Sequence, residues 1–195
     1  MTVAFPRHDY TMAEYRALER ETDRKHEYFD GEIYAMTGGS PMHAQLGATV
    51  AYQLSRQLEG KPCRVYSSDL GVRALATGLA TYTDVTVVRG PLELDPEDAD
   101  TVTNPTVLVE VTSPTSEKRD RGDKLEHYKT IPSLRAVVVV SHRERRVEVH
   151  GRTDAHGRTG AAWVMQAATG GAIFVPGIDC SLDVDELYAA TEPTG

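Results

Sequence analysis

Residues 107–111 read VLVEV, inside the longer run NPTVLVEVTSP (104–114). Aliphatic side chains surround one carboxylate, Glu110. An apolar run of this length, bounded by prolines, has the pattern of a strand buried on both faces. An ionised glutamate in such a place costs several kcal/mol unless it is paired, hydrogen-bonded or bound to a cation. The stretch therefore predicts a core strand and raises a chemical question: what holds the charge of Glu110.

The neighbouring segments supply the layers around that strand. RAVVVVS (135–141) is a second very apolar strand. Between the two, SPTSEKRDRGDKLEHYKTIPSL (113–134) reads as a loop followed by a helix that stops before Pro132, with Leu125 and Tyr128 facing inward. TYTDVTVV (81–88) reads as one strand, and CRVYSSD (63–69) with LGVRALA (70–76) as a pair or one bent strand. RGPLELDPEDADTVTNP (89–105) reads as a long acidic loop. Thr11 and Glu14 have capping-box spacing before a first helix over 11–22. Asp30-Gly31 marks a hairpin within KHEYFDGEIYAM (25–36). Ser40 and Pro41 open a long helix over 38–60, in which Leu46, Val50, Leu54 and Leu58 form one buried stripe. The closing stretches RRVEVHGR, AAWVMQAA and AIFVPG read as antiparallel strands, and VDELYAA as a short helix. The pattern predicts one α/β domain over 1–195, a mixed central sheet flanked by helices with extra antiparallel strands.

The chain has 195 residues, 40% of them hydrophobic and 26% charged, enough for one soluble core. It holds no apolar run long enough for a membrane helix and opens without a signal-like apolar segment, so a cytoplasmic protein is expected. Cys63 and Cys180 are read as buried free thiols. The net charge of −8 opposes non-specific binding to nucleic acid, unless a basic patch or bound metal reverses the local sign.

Within 81–88, alternation places Tyr82, Asp84 and Thr86 on one face; within 106–112 it places Leu108, Glu110 and Thr112 together. If these strands pair, one register brings Asp84 and Glu110 close. Two adjacent carboxylates need a counter-charge to stay ionised. A divalent cation such as Mg²⁺ supplies it, taking one or two carboxylates, water and a phosphate.

An acid on one strand, a second acid in an apolar strand and a nearby lysine resemble the PD-(D/E)XK nucleases of the restriction-endonuclease-like fold. EVTSPTSEKRDRGDKLEHYK is more specifically similar to the Uma-type family of that superfamily, through Glu110, Val111, Ser113, Pro114, Asp120, Lys124 and Tyr128. Glu27 in HEYFDGEI matches an early family acid. Thr83 stands where a proline usually precedes the first strand acid, and Thr112 where a lysine usually follows the second; Lys124 takes that lysine's place from the helix.

The resemblance implies an endonuclease that hydrolyses phosphodiester bonds of nucleic acid, with DNA the favoured polymer, using Mg²⁺ or Mn²⁺. It implies Asp84, Glu110 and the Val111 carbonyl as metal ligands, Lys124 to activate water and Glu27 to complete the site. Asp120 is placed to hold Lys124, and Lys118, Arg119 and Arg121 to meet phosphate, with Arg64 and Arg73 as further cationic candidates. Tyr128 is expected in the core and His43 as a structural histidine. A homodimer is also implied, with AIFV (172–175) as interface strand. Two other readings stay open: a nuclease fold that binds without cutting, and a metal-dependent hydrolase of a smaller phosphoester.

Overall fold

The structure is a computed structural model and describes residues 9–36, 38–112, 122–153 and 162–189. The chain begins with α1 (Met12–Glu21), whose Thr11 and Glu14 form the expected capping box. A hairpin follows, β1 (His26–Phe29) and β2 (Glu32–Ala35), turning at Asp30 and Gly31, both at positive φ. Then comes α2 (Pro41–Leu58), with the Ser40 hydroxyl accepting the His43 amide. Strands β3 (Cys63–Ser67), β4 (Gly71–Ala74), β5 (Leu79–Tyr82), β6 (Val85–Arg89), β7 (Leu94–Asp95), β8 (Asp98–Val102) and β9 (Val107–Val111) lead to helix α3 (Asp123–Tyr128). The remainder is β10 (Ala136–Val140), β11 (Val147–Thr153), β12 (Ala162–Ala168), β13 (Ala172–Val175), β14 (Cys180–Asp183) and α4 (Val184–Ala189).

The mixed sheet expected around VLVEV is present, in the order β12-β11-β10-β9-β6-β3. Its β9–β10 pair is parallel and the others are antiparallel. A second mixed sheet of six strands runs β2-β1-β5-β4-β8-β7. In β9, Val107, Val109 and Val111 pack toward α2 with Leu46, Val50, Leu54 and Leu58. Leu108 packs the opposite way, with Leu125 and Tyr128 of α3 and with Val72 and Leu79 of the second sheet. Burying each of those large aliphatic side chains contributes roughly 1.5–3 kcal/mol. Both faces of β9 are thus covered, which is why it reads as an unbroken apolar run.

Three expectations change. TYTDVTVV (81–88) is two strands, not one: β5 belongs to the second sheet and β6 to the first. The break falls at Thr83-Asp84, where side-chain bonds supplement the backbone bond from the Asp84 amide to the Val109 carbonyl. The Thr83 hydroxyl bonds the Val85 carbonyl and the Thr86 hydroxyl, and the Asp84 carboxylate takes a backbone amide. The common face drawn for Tyr82, Asp84 and Thr86 therefore does not exist. Likewise β3 and β4 do not pair; a turn at Ser67–Leu70 sends them to different sheets. The acidic segment 89–105 contains the β7–β8 hairpin, clamped to α1 by Arg16, which bonds Asp95 at 2.8 Å and also Glu97.

The junction of α1 with the second sheet carries a pH dependence. Tyr15 is buried and donates its hydroxyl to the His26 carbonyl. Burial first, and then the charge of Glu19, push its pKa above the ordinary 10.0. Tyr82, half-buried, moves the same way through burial and its hydrogen bond to Glu19. The folded chain holds these protons more tightly than the unfolded one. The stabilisation is therefore complete below the unfolded pKa and declines as pH rises above it, by up to about 1.4 kcal/mol per pH unit for Tyr15. The urea midpoint is expected to be lower at about pH 11 than at about pH 9, with a smaller drop for Tyr15→Phe. Equal midpoints in the parent protein contradict this account.

Candidate active site

β6 and β9 pair antiparallel with Val85 opposite Val109 and Thr86 opposite Leu108. The paired register ends there, and Asp84 lies just before β6 begins. Alternation gives Glu110 the side of Leu108, facing α3, next to Val139 of the parallel neighbour.

Glu110 is 5% exposed. Its Oε1 accepts the Tyr128 hydroxyl at 2.6 Å, and Lys124 Nζ lies 3.4 Å from the same oxygen. The two donors stand four residues apart on α3, hence on one helical face. Lys124 also meets Oε2 of Glu27 at 3.0 Å. That oxygen in turn accepts the Thr81 hydroxyl at 2.6 Å. One buried ammonium thus sits between two buried carboxylates brought by β1 and β9, and Tyr128 and Lys124 together hold the charge of Glu110. Burial, and then the Glu110 charge, drive the Tyr128 pKa upward, so its hydroxyl stays a neutral donor.

Asp84 approaches from the α2 side. Its Oδ2 accepts the Val111 amide at 2.7 Å, and Oδ1 lies 3.4 Å from His43 Nε2. Its own amide donates to the Val109 carbonyl at 3.1 Å. His43 stands in the first turn of α2, and Gly47, one turn on, faces the Asp84 side chain. Asp84 and Glu110 are therefore linked through one residue of backbone, and they flank the end of β9 from different layers.

Two cavities open beside this cluster. One, of about 650 Å³, is lined by Glu27, Phe29, Tyr34, Lys124 and His127 among others. The other, of about 610 Å³, is lined by Asp84, His43, Arg24, Lys25 and small residues such as Gly47. Among the described residues no three His, Cys, Asp or Glu side chains gather into a metal cage.

Of the residues singled out in the sequence, Glu27, Glu110 and Lys124 gather on the α3 side of β9, whereas Asp84 lies on the α2 side beside His43, tied to the end of β9 by the Val111 amide rather than sharing a face with Glu110. Asp120, Lys118, Arg119 and Arg121 lie outside the described residues. Arg64 bonds the carbonyls of Lys61 and Cys63, and Arg73 turns to the Met12 sulfur. Sequence reasoning put Tyr128 in the core without its bond to Glu110, left His43 as structural and did not name Thr81. The four-residue step from Lys124 to Tyr128 was a signal for the first. His43 and Thr81 come from elements whose meeting no local pattern announces.

Residues 12–171 match the model of the Uma2 family, described as "Putative restriction endonuclease". The chain is 31% identical over 175 residues to the uncharacterized protein slr1290 of Synechocystis sp., covering 90% of this chain and 89% of that one. It is 28% identical over 138 residues to the uncharacterized Synechocystis protein sll1609, covering 71% and 78%. A crystal structure described as a putative nuclease belonging to DUF820, from Anabaena variabilis, superposes with a TM-score of 0.68 at 15% identity, over 86% of this chain and 92% of that chain. That likeness establishes the shared fold. With most of its length under one family model and a relative aligned nearly end to end, the chain belongs to the Uma2 family.

Proposed function

We propose that the chain is a metal-dependent endonuclease that hydrolyses phosphodiester bonds of nucleic acid, DNA by preference. One observation carries this reading: Asp84 and Glu110 flank the same end of β9, Asp84 bonded to the Val111 amide and Glu110 reached by the lysine of a neighbouring helix. Family membership supports it, as does the fold shared with the Anabaena protein.

The residues fit a hard cation. Two carboxylates, Glu27 and Glu110, hold the ammonium of Lys124, and a third, Asp84, stands at the same end of β9 beside His43. All-oxygen donors suit Mg²⁺ or Mn²⁺, which complete their shells with water and phosphate and need no full protein cage. Asp84 and Glu110 would hold the ion, with the Val111 carbonyl as a further oxygen donor. When bound, the ion lowers the pKa of water and neutralises charge on the phosphate. Lys124, fixed by Glu27 and Glu110, places a positive charge where the attacking oxygen and the phosphate meet. Tyr128 orients Glu110, and His43 orients Asp84. Arg24 and Lys25 line the cavity beside Asp84 and offset some of the overall negative charge for an approaching backbone.

A binding-only reading has one observation in its favour: Lys124 and Tyr128 already compensate Glu110 without a metal. Two measurements separate the readings. The protein is expected to nick supercoiled plasmid in Mn²⁺ and to bind Mn²⁺ in calorimetry, and Glu110→Ala is expected to lose both. Metal binding that survives Glu110→Ala removes the proposed ligand set. Plasmid left intact, with cleavage of a small phosphodiester such as bis(p-nitrophenyl) phosphate, favours a small-ester hydrolase.

A further inference from the structure

The cavity of about 650 Å³ next to Lys124 combines aromatic walls with a negatively charged rim. The rings of Phe29 and His127 lie 4.3 Å apart, tilted by 47°. Tyr34 and Leu79 extend the lining. Asp123 and Glu126 stand exposed at the rim, the latter bonded to Lys129 at 2.6 Å. Buried Glu27 and Lys124 line the cavity as well.

We infer that this cavity receives an unpaired nucleobase adjacent to the scissile phosphodiester, and prefers bases that carry an exocyclic amino group. The inference rests on the nuclease reading and specifies its substrate. A phosphate is a poor occupant, because among the described lining residues Glu27, Asp123 and Glu126 stand against the one ammonium of Lys124. A flat, neutral ring is a good one. Aromatic side chains offer it a stacking surface, and the volume lies in the range of small-molecule pockets. Carboxylates accept N–H donors, which adenine, cytosine and guanine carry on exocyclic nitrogens and thymine and uracil do not. A base stacked inside a duplex cannot enter, so the substrate is single-stranded at this position or has one base turned out.

The probe is 2-aminopurine riboside 5′-monophosphate, whose fluorescence is quenched by stacking. Saturable quenching by the whole protein is expected, competed by adenosine monophosphate, more weakly by thymidine monophosphate, and not by inorganic phosphate. His127→Ala and Phe29→Ala are each expected to weaken binding about tenfold, and His127→Phe to retain it. Circular dichroism checks the fold; should Phe29→Ala unfold, the more accessible His127 pair carries the comparison. Absence of quenching overturns the inference, as does quenching unchanged in His127→Ala, or competition by inorganic phosphate equal to that of adenosine monophosphate. Plasmid nicking by the same preparation separates the two ideas. Cleavage without quenching sinks the base pocket alone. Quenching without cleavage sinks the nuclease and leaves a base-binding module.

Discussion

Lys124→Met is expected to destabilise the fold by about 3–5 kcal/mol, the cost of removing one partner from a buried ion pair. Lys124 is 7% exposed, and its ammonium lies between Glu27 at 3.0 Å and Glu110 at 3.4 Å. Methionine fills a similar volume and removes only the charge. Two carboxylates, 3% and 5% exposed, then face each other without the cation that separates them. For a domain whose whole stability is on the order of 5–15 kcal/mol, this is a large fraction. Urea unfolding measures it, and a second variant identifies the cause. Glu27→Gln added to Lys124→Met removes one of the stranded charges and should recover part of the loss, with a coupling of about 0.5–3 kcal/mol. If Lys124→Met unfolds at the parent midpoint, the buried carboxylates are neutralised by something other than this lysine.

The same cluster shows which parts of the molecule were legible in the sequence. VLVEV announced a strand covered on both faces because both of its faces are in fact covered, by α2 and by α3 with the second sheet. Capping at Thr11 and Ser40 and the turn at Asp30-Gly31 were readable because each is settled within four residues. The break inside TYTDVTVV was not. Its residues alternate as one strand does, and what ends β5 is a change of partner from β4 and β1 to β9 and β3, a decision made by distant segments. The β7–β8 hairpin was hidden for a related reason. Its acids look like solvent-facing loop until Arg16, some eighty residues earlier, folds over Asp95. Glu110 and Lys124 could be singled out from local pattern and family resemblance. That Tyr128 and Glu27 complete the contacts around them depended on which face α3 and β1 present, and the chain alone does not write that down.

Asp84→Asn is expected to do the reverse of Lys124→Met: leave the fold intact and remove cleavage. The Asp84 carboxylate has a structural partner, the Val111 amide at 2.7 Å, and an asparagine side-chain oxygen can accept that bond equally well. The amide nitrogen of the new side chain can turn to His43, 3.4 Å from the other carboxylate oxygen. Backbone and capping are thereby preserved, and stability should change by less than about 1 kcal/mol. Asp84→Ala, by contrast, strands the Val111 amide at a cost of about 1–3 kcal/mol. What asparagine cannot supply is charge. A neutral amide is a poor ligand for Mg²⁺ or Mn²⁺, so the metal's contribution to the reaction, several kcal/mol, is lost. That corresponds to a fall of about a thousandfold or more in the nicking rate. The expected signature is a parent-like urea curve, no Mn²⁺ heat in calorimetry and intact supercoiled plasmid. Parent-like cleavage by Asp84→Asn would leave Asp84 as no more than the cap on the Val111 amide, and the ion would have to be held from the Glu27–Glu110 side of the sheet without it.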